Sequence, residues 1–283
     1  MMNPKIEQLG QTFRESLMER LRNLARPLAD YHKATSNLTA LNVDVVETST
    51  AAAVTQTLSG FLRDLETSLT RDYAGNGTVK VSFKGERGGD PRNFYRSEMD
   101  LRHLFRNIDS INDGFVALMN SYPFSDLADS AMKQCATLED RGLQACADRL
   151  ASRLHLVNHG GKCSVKAQRN RVISYKHFDS YFVGAYSYSD WDALYELARD
   201  MRVVEAEMGE LGASEALREC GDLIKDASSR FETRTKLLEG RPVEFVVFNN
   251  HMDIRIRADV ADTVLAFLAL HSQHTIYDLA LAA

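Results

Sequence analysis

The chain has 283 residues, 44% of them hydrophobic and 26% charged, and a formal net charge of −5. Apolar residues recur throughout, which excludes a long disordered protein. No stretch approaches the roughly 20 apolar residues that a bilayer crossing needs, and the first 23 residues hold no apolar run of the secretory type. Cys135, Cys146, Cys163 and Cys220 are widely spaced and form no Cys-x-x-Cys pair, so the expectation is a cytoplasmic chain with reduced thiols and no membrane partner.

Phe13, Leu17, Leu21, Leu24 and Leu28 recur every three or four residues and predict a helix over 5–33, which Pro27 kinks or ends. The regular leucines could pair with a second copy of the chain, although packing within the monomer is the simpler account. A loop follows over 37–46, with room for a short strand at 43–46. A second helix is predicted over 49–72, started by Ser49 or Thr50 and striped with Val54, Leu58, Phe61, Leu62, Leu65 and Leu69. Residues 78–84 alternate, with Val79, Val81 and Phe83 against Lys80, Ser82 and Lys84, as in a half-buried strand. Lys84 to Arg92 is a glycine-rich turn that lacks the Gly-Lys-Ser/Thr of a P-loop.

Helical periodicity returns from 97 to about 154, broken at Pro123 and stopped by His159-Gly160-Gly161. Short strands rich in aromatic and β-branched residues are predicted at 170–176 and 181–186. Ser189 opens a helix, another spans about 213–239, and strands at 243–248 and 252–257 meet at the turn Asn249-Asn250-His251. A last helix covers about 258–271. The fold class is α+β, mostly helical, with a small antiparallel or mixed sheet in the C-terminal half. The domain reading is an N-terminal helical hairpin or arm, 1–72, and an α+β domain, 73–283, with one continuous domain as the alternative.

Charge is unevenly spread. Arg149 to Phe178 carries Arg149, Arg153, Lys162, Lys166, Arg169, Arg171 and Lys176 and no acidic residue, so the rest of the chain sums to −12 (−5 less +7). Such segregation points to a face that meets an anion. Arg149 to His155 closes a helix, where cations are favoured anyway. The sharper candidate is therefore 162–176. Tyr175, Phe178, Tyr181, Phe182, Tyr186, Tyr188 and Trp191 follow within seventeen residues. Basic groups hold phosphates and flat rings stack on bases, a pairing suited to single-stranded nucleic acid; the alternative is that these rings fill the core of a sheet. The binding residues expected on this basis are Lys162, Lys166, Arg169, Arg171, Tyr175, Lys176 and Phe178.

Catalytic signatures are absent: there is no Gly-x-Ser-x-Gly, His-Glu-x-x-His or dinucleotide fingerprint. His155, His159 and Cys163 are zinc-ligand types spaced by four, but Gly160-Gly161 interrupts them and no fourth ligand is close, so no metal and no cofactor is assigned. His251 and Asp253 flank a turn and could serve as acid and base.

Leu101 to Arg106, Ala117 to Met119, Arg141 to Leu143, Arg169 to Ile173 and Val243 to Ile256 occur in an order that resembles a domain-of-unknown-function family of phage, plasmid and prophage proteins, some joined to or encoded beside adenine-DNA methyltransferases. The resemblance spans about 95–270. The chain departs from that family at Asn249-Asn250-His251, where glycine is usual, and in lacking a tryptophan near Leu101. The resemblance implies a mobile-element origin and assigns no catalytic residue.

The expected function is a mobile-element binding protein that engages nucleic acid, or a complex that processes it, without catalysis of its own. One alternative is an anti-defence or replication inhibitor acting by protein contact, which requires Glu196, Asp200, Glu205, Glu207 and Glu210 to line one surface. The other is an enzyme on nucleotides or nucleic acid, with His251, Asp253, His155, His159 or His177 converging in a pocket.

Overall fold

The computed structural model describes residues 4–35, 43–83, 111–157, 165–168, 171–178 and 185–274. Contacts gather them into two compact units, 1–75 with 80–138 and 76–79 with 139–283.

The first unit is helical: α1 (Pro4–Thr35), α2 (Val43–Tyr73), α3 (Ile111–Ser121) and α4 (Phe124–Cys135). The stripe on α1 buries Phe13, Leu17, Leu21 and Leu28 among α2, α3 and α4. Each fully buried leucine contributes about 1.5–3 kcal/mol. The leucines proposed for pairing copies of the chain are thus used inside the unit. Pro27 does not end α1; it lies on the exposed side, where the carbonyl it leaves unbonded can be hydrated. The second helix starts at Val43, so the strand at 43–46 is not formed. Helical continuation overrides the weak strand preference of three valines.

The predicted strand at 78–84 is extended through Phe83 but joins no ladder. Its alternation is real, since Val81 and Phe83 are buried. Helix side chains take the place of a partner strand: Thr70 Oγ1 accepts from Val81 N at 2.9 Å, Gln134 Oε1 from Ser82 N at 3.0 Å, and Glu66 Oε1 from Phe83 N at 2.7 Å. Gln134 Nε2 donates back to the Ser82 carbonyl at 2.9 Å. Backbone groups must be satisfied somewhere, and here three side chains do it.

The second unit holds α5 (Leu138–Arg153), α6 (Tyr188–Met208), α7 (Ala213–Asp226) and α8 (Ala258–His271), with β1 (Lys166–Gln168), β2 (Arg171–His177), β3 (Lys236–Leu237), β4 (Val243–Val247) and β5 (His251–Arg257). The strands form one antiparallel sheet in the order β1-β2-β5-β4-β3. The fold is α+β with its small sheet in the C-terminal half. The hairpin β4–β5 and the last helix fall where the sequence puts them.

Two ends differ. α5 stops at Arg153, before the glycines: Leu156 N donates to Ala151 O at 2.8 Å and His155 N to Ser152 O at 3.1 Å, with His155 at φ 56°. This is the hydrogen-bond pattern of a Schellman cap with histidine in the position glycine usually takes. α7 stops at Asp226, not 239, because 234–237 turn back to pair with β4; Arg234 N donates to Val247 O and Val247 N to Thr235 O.

Candidate functional site

Alternation along β2 and β5 divides the sheet into two faces. Val172, Ser174, Met252, Ile254 and Ile256 are buried on the face that α8 covers. The opposite, outer face carries Arg171, Ile173, Tyr175 and His177 from β2, in register with Arg257, Arg255, Asp253 and His251 from β5. Lys166 of β1 pairs with Ile173 and so belongs to the outer face, where it is exposed.

A run of rings crosses this face. His155, held by the end of α5, stacks on Tyr175 with centroids 4.8 Å apart and planes 19° apart. Tyr175 meets His177 edge-on at 4.9 Å, and His177 lies 6.0 Å from His251. His251 stacks on Phe248 at 4.6 Å and 10°. The left-handed backbone of His155 is uncommon for a residue other than glycine and places its ring over Tyr175. Burial pushes the His155 ring down from its ordinary value and His177 acts in the same direction, against a hydrogen bond with the Tyr175 backbone.

The charges around these rings are paired. Arg171 forms two hydrogen bonds with Glu244, one of them from Nη2 to Oε1 at 2.9 Å. Burial alone would raise the Glu244 carboxyl, but the Gly240 N–H and the Arg171 guanidinium outweigh it and hold it below the usual glutamate value. Asp253 Oδ2 lies 3.4 Å from Arg255 Nη2, and its Oδ1 lies 3.6 Å from His251 Nε2. Arg257 is paired with Asp259 at 2.6 Å. Arg171 and Arg257 face each other in register, and each is neutralised by its own carboxylate.

Of the residues expected from the sequence, the structure brings Lys166, Arg171 and Tyr175 to this face. Lys176 pairs with the buried Met252 and belongs to the other side of the sheet. Phe178 is 7% exposed and packs edge-on against Tyr186 at 5.1 Å, with Arg230 over its ring, so it is a core residue. Lys162 and Arg169 lie outside the described residues, as do His159, Cys163, the glycine-rich turn from Lys84 and most of the strand proposed at 181–186. Tyr186 itself is buried, outside any strand.

The early part of the acid-free stretch is spent inside the fold. Arg149 donates from Nη2 to Asp200 Oδ1 at 2.7 Å and to Thr78 Oγ1 at 2.9 Å; Arg153 binds Asp200 and, at 2.6 Å, Glu196. Asp200 is 2% exposed. Glu205 accepts from Ala213 N, Ser214 N and Ser214 Oγ at the start of α7, and Glu207 accepts from Asn76. The five carboxylates named for charge mimicry therefore do not form one free surface.

His177 lies 6.0 Å from His251, whose ring lies 3.6 Å from Asp253, while His155 reaches them only through Tyr175. Imidazoles and a carboxylate at such distances can exchange protons with a bound ligand. Among the described residues, no group of three or more His, Cys, Asp and Glu is placed to hold a metal ion. Cys135, Cys146 and Cys220 are free thiols, and burial, aided by Asp200, pushes Cys146 up to about 12, which makes it unreactive. Among the described residues no helix is long and apolar enough to cross a membrane.

Phe248 and Arg255 were not singled out by sequence reasoning. The signal was the alternation His251, Asp253, Arg255, Arg257, which marks one polar strand face, although nothing local announces its register against β2.

No protein-family model matches this chain, and neither a curated protein nor a solved structure matches it.

Proposed function

We propose that this chain binds single-stranded nucleic acid on the outer face of its sheet. The observation that carries the proposal is the run of rings from His155 through Tyr175, His177 and His251 to Phe248, flanked by Lys166 and Arg255. A sheet that offers flat rings beside cations suits unpaired bases, whose faces stack while the backbone phosphates meet the charges. A mobile-element setting, drawn from the resemblance over 95–270, belongs to the same proposal, as does the absence of catalysis by the chain itself.

Tyr175 is the centre of the run, stacked with His155 and met edge-on by His177, so it holds both rings in place on the face. Stacking on one aromatic side chain is worth about 1–3 kcal/mol per base. Tyr175→Ala is expected to weaken binding of a labelled single-stranded oligonucleotide about tenfold at low salt, measured by fluorescence anisotropy, with the circular dichroism spectrum unchanged. Equal affinity of the folded variant and the parent would remove the face from the account.

A further inference from the structure

The fixed charges of the outer face cancel in pairs: Arg171 with Glu244, Arg255 with Asp253, Arg257 with Asp259 and, on β3, Lys236 with Glu239. Among the described residues of that face, Lys166 is the cation with no ion pair. A polyanion arriving at neutral pH therefore meets little net positive charge. Three groups can change this: His155, His177 and His251.

Their surroundings are as follows. His177 faces His251 across the strands and Tyr175 along its own. His155 reaches Tyr175 from the end of α5. His251 has the Asn250 Oδ1 acceptor 2.8 Å from Nδ1 and the Asp253 carboxylate near Nε2, with Phe248 on its ring. From the segment after α7, Arg230 donates to the Asn249 carbonyl beside the turn. Asp253 is shared, with Arg255 at one carboxylate oxygen and His251 at the other, and Glu244 stands in register with Arg255 across the strands. Arg255 Nε has no hydrogen-bond partner.

We propose that this face is a proton-gated anion site, which takes up the phosphates of single-stranded nucleic acid when His155, His177 and His251 become protonated. The inference rests on the reading of the face as a nucleic-acid site. An imidazole is neutral at high pH and gains its charge as the pH falls into the acidic range, and burial together with His177 holds His155 back to lower pH. A bound phosphate favours the charged ring, so the ring holds its proton more tightly in the complex than in the free protein. Affinity is then gained as the pH falls through that range and lost as it rises above it. Stacking continues at either pH, so the switch acts on affinity and leaves the contact surface unchanged.

The test is a fluorescence-anisotropy titration of labelled oligothymidylate, whose bases do not titrate in this range, at about pH 8 and about pH 5.5 with ionic strength fixed. The wild-type protein is expected to bind on the order of tenfold more tightly at the lower pH. His177→Gln and His251→Gln should each reduce that ratio, and the triple variant with His155→Gln should bring it near one, with circular dichroism reporting the fold of each protein at both pH values. Measurable wild-type binding with a flat pH response overturns the gate and leaves the nucleic-acid site standing. A triple variant that keeps the full ratio also overturns the gate. Absence of binding at both pH values defeats the nucleic-acid reading itself.

Discussion

Asp200 shows what a single buried carboxylate can decide. It lies between Arg149 and Arg153, and its backbone carbonyl also receives the Cys146 thiol at 3.4 Å. Taking ions out of water is costly, and the cost is offset here by two guanidinium groups. Asp200→Ala is expected to destabilise the protein by about 3 kcal/mol, the low end of the range for breaking a buried pair. The low end applies because Arg149 and Arg153 keep 39% and 29% of their side chains exposed and can turn to water. A urea titration with an unchanged slope and a lower midpoint would record it; a shift below about 0.5 kcal/mol would show the cluster to be incidental. The pairing explains why the acid-free stretch misleads when taken as a sequence. The arginines are visible at 149 and 153, but their partner stands 51 and 47 residues away. Arg171 is separated from Glu244 by 73. A charge is legible in a sequence, whereas its neutralisation by a distant partner is not.

At the scale of elements, the pattern of burial was legible and the partners were not. The alternation at 78–83 correctly marks Val81 and Phe83 as inward, but their backbones bond to helix side chains instead of a strand. The helix expected over 213–239 forms from Ala213 to Asp226, burying Ala216, Leu217, Cys220 and Ile224, and gives way before Lys236 and Leu237 find β4. The crossing of residues 76–79 over α5 is another such contact. A Cβ built on Gly142 would stand 2.4 Å from Gly77 Cα and 2.8 Å from Thr78 N, both backbone atoms with little room to yield. Thr78 also receives Arg149 there, which ties the crossing to the Asp200 cluster. Gly142→Ala is accordingly expected to cost about 1–3 kcal/mol, readable as a lower thermal midpoint, although alanine is the better helix former. A more stable Gly142→Ala protein would show that the two segments do not touch in solution.

For the whole molecule, the net charge of −5 says little about where an anion could bind. The basic stretch divides into arginines spent within the fold, residues outside the described part, and the outer sheet face, where Lys166, Tyr175, His155 and His177 are joined by His251 of β5. Two acidic residues of α6 are likewise spent within the fold, Asp200 in the interior and Glu205 at the start of α7. Tyr175 and Lys166 could be proposed from composition alone. The rings of His155, His251 and Phe248 join them through the register of β2 on β5 and the early stop of α5, neither of which local sequence expresses.

The central claim is that this face holds phosphates, and the most direct measurement is the salt dependence of binding. Each phosphate contact made to a single strand releases counterions, so log Kobs should fall with log salt at about −0.7 per contact. With Lys166 and the protonated histidines engaged, labelled oligothymidylate near pH 6 should show a slope between about −1.5 and −3. A slope indistinguishable from zero, or no binding at low salt, would contradict the account.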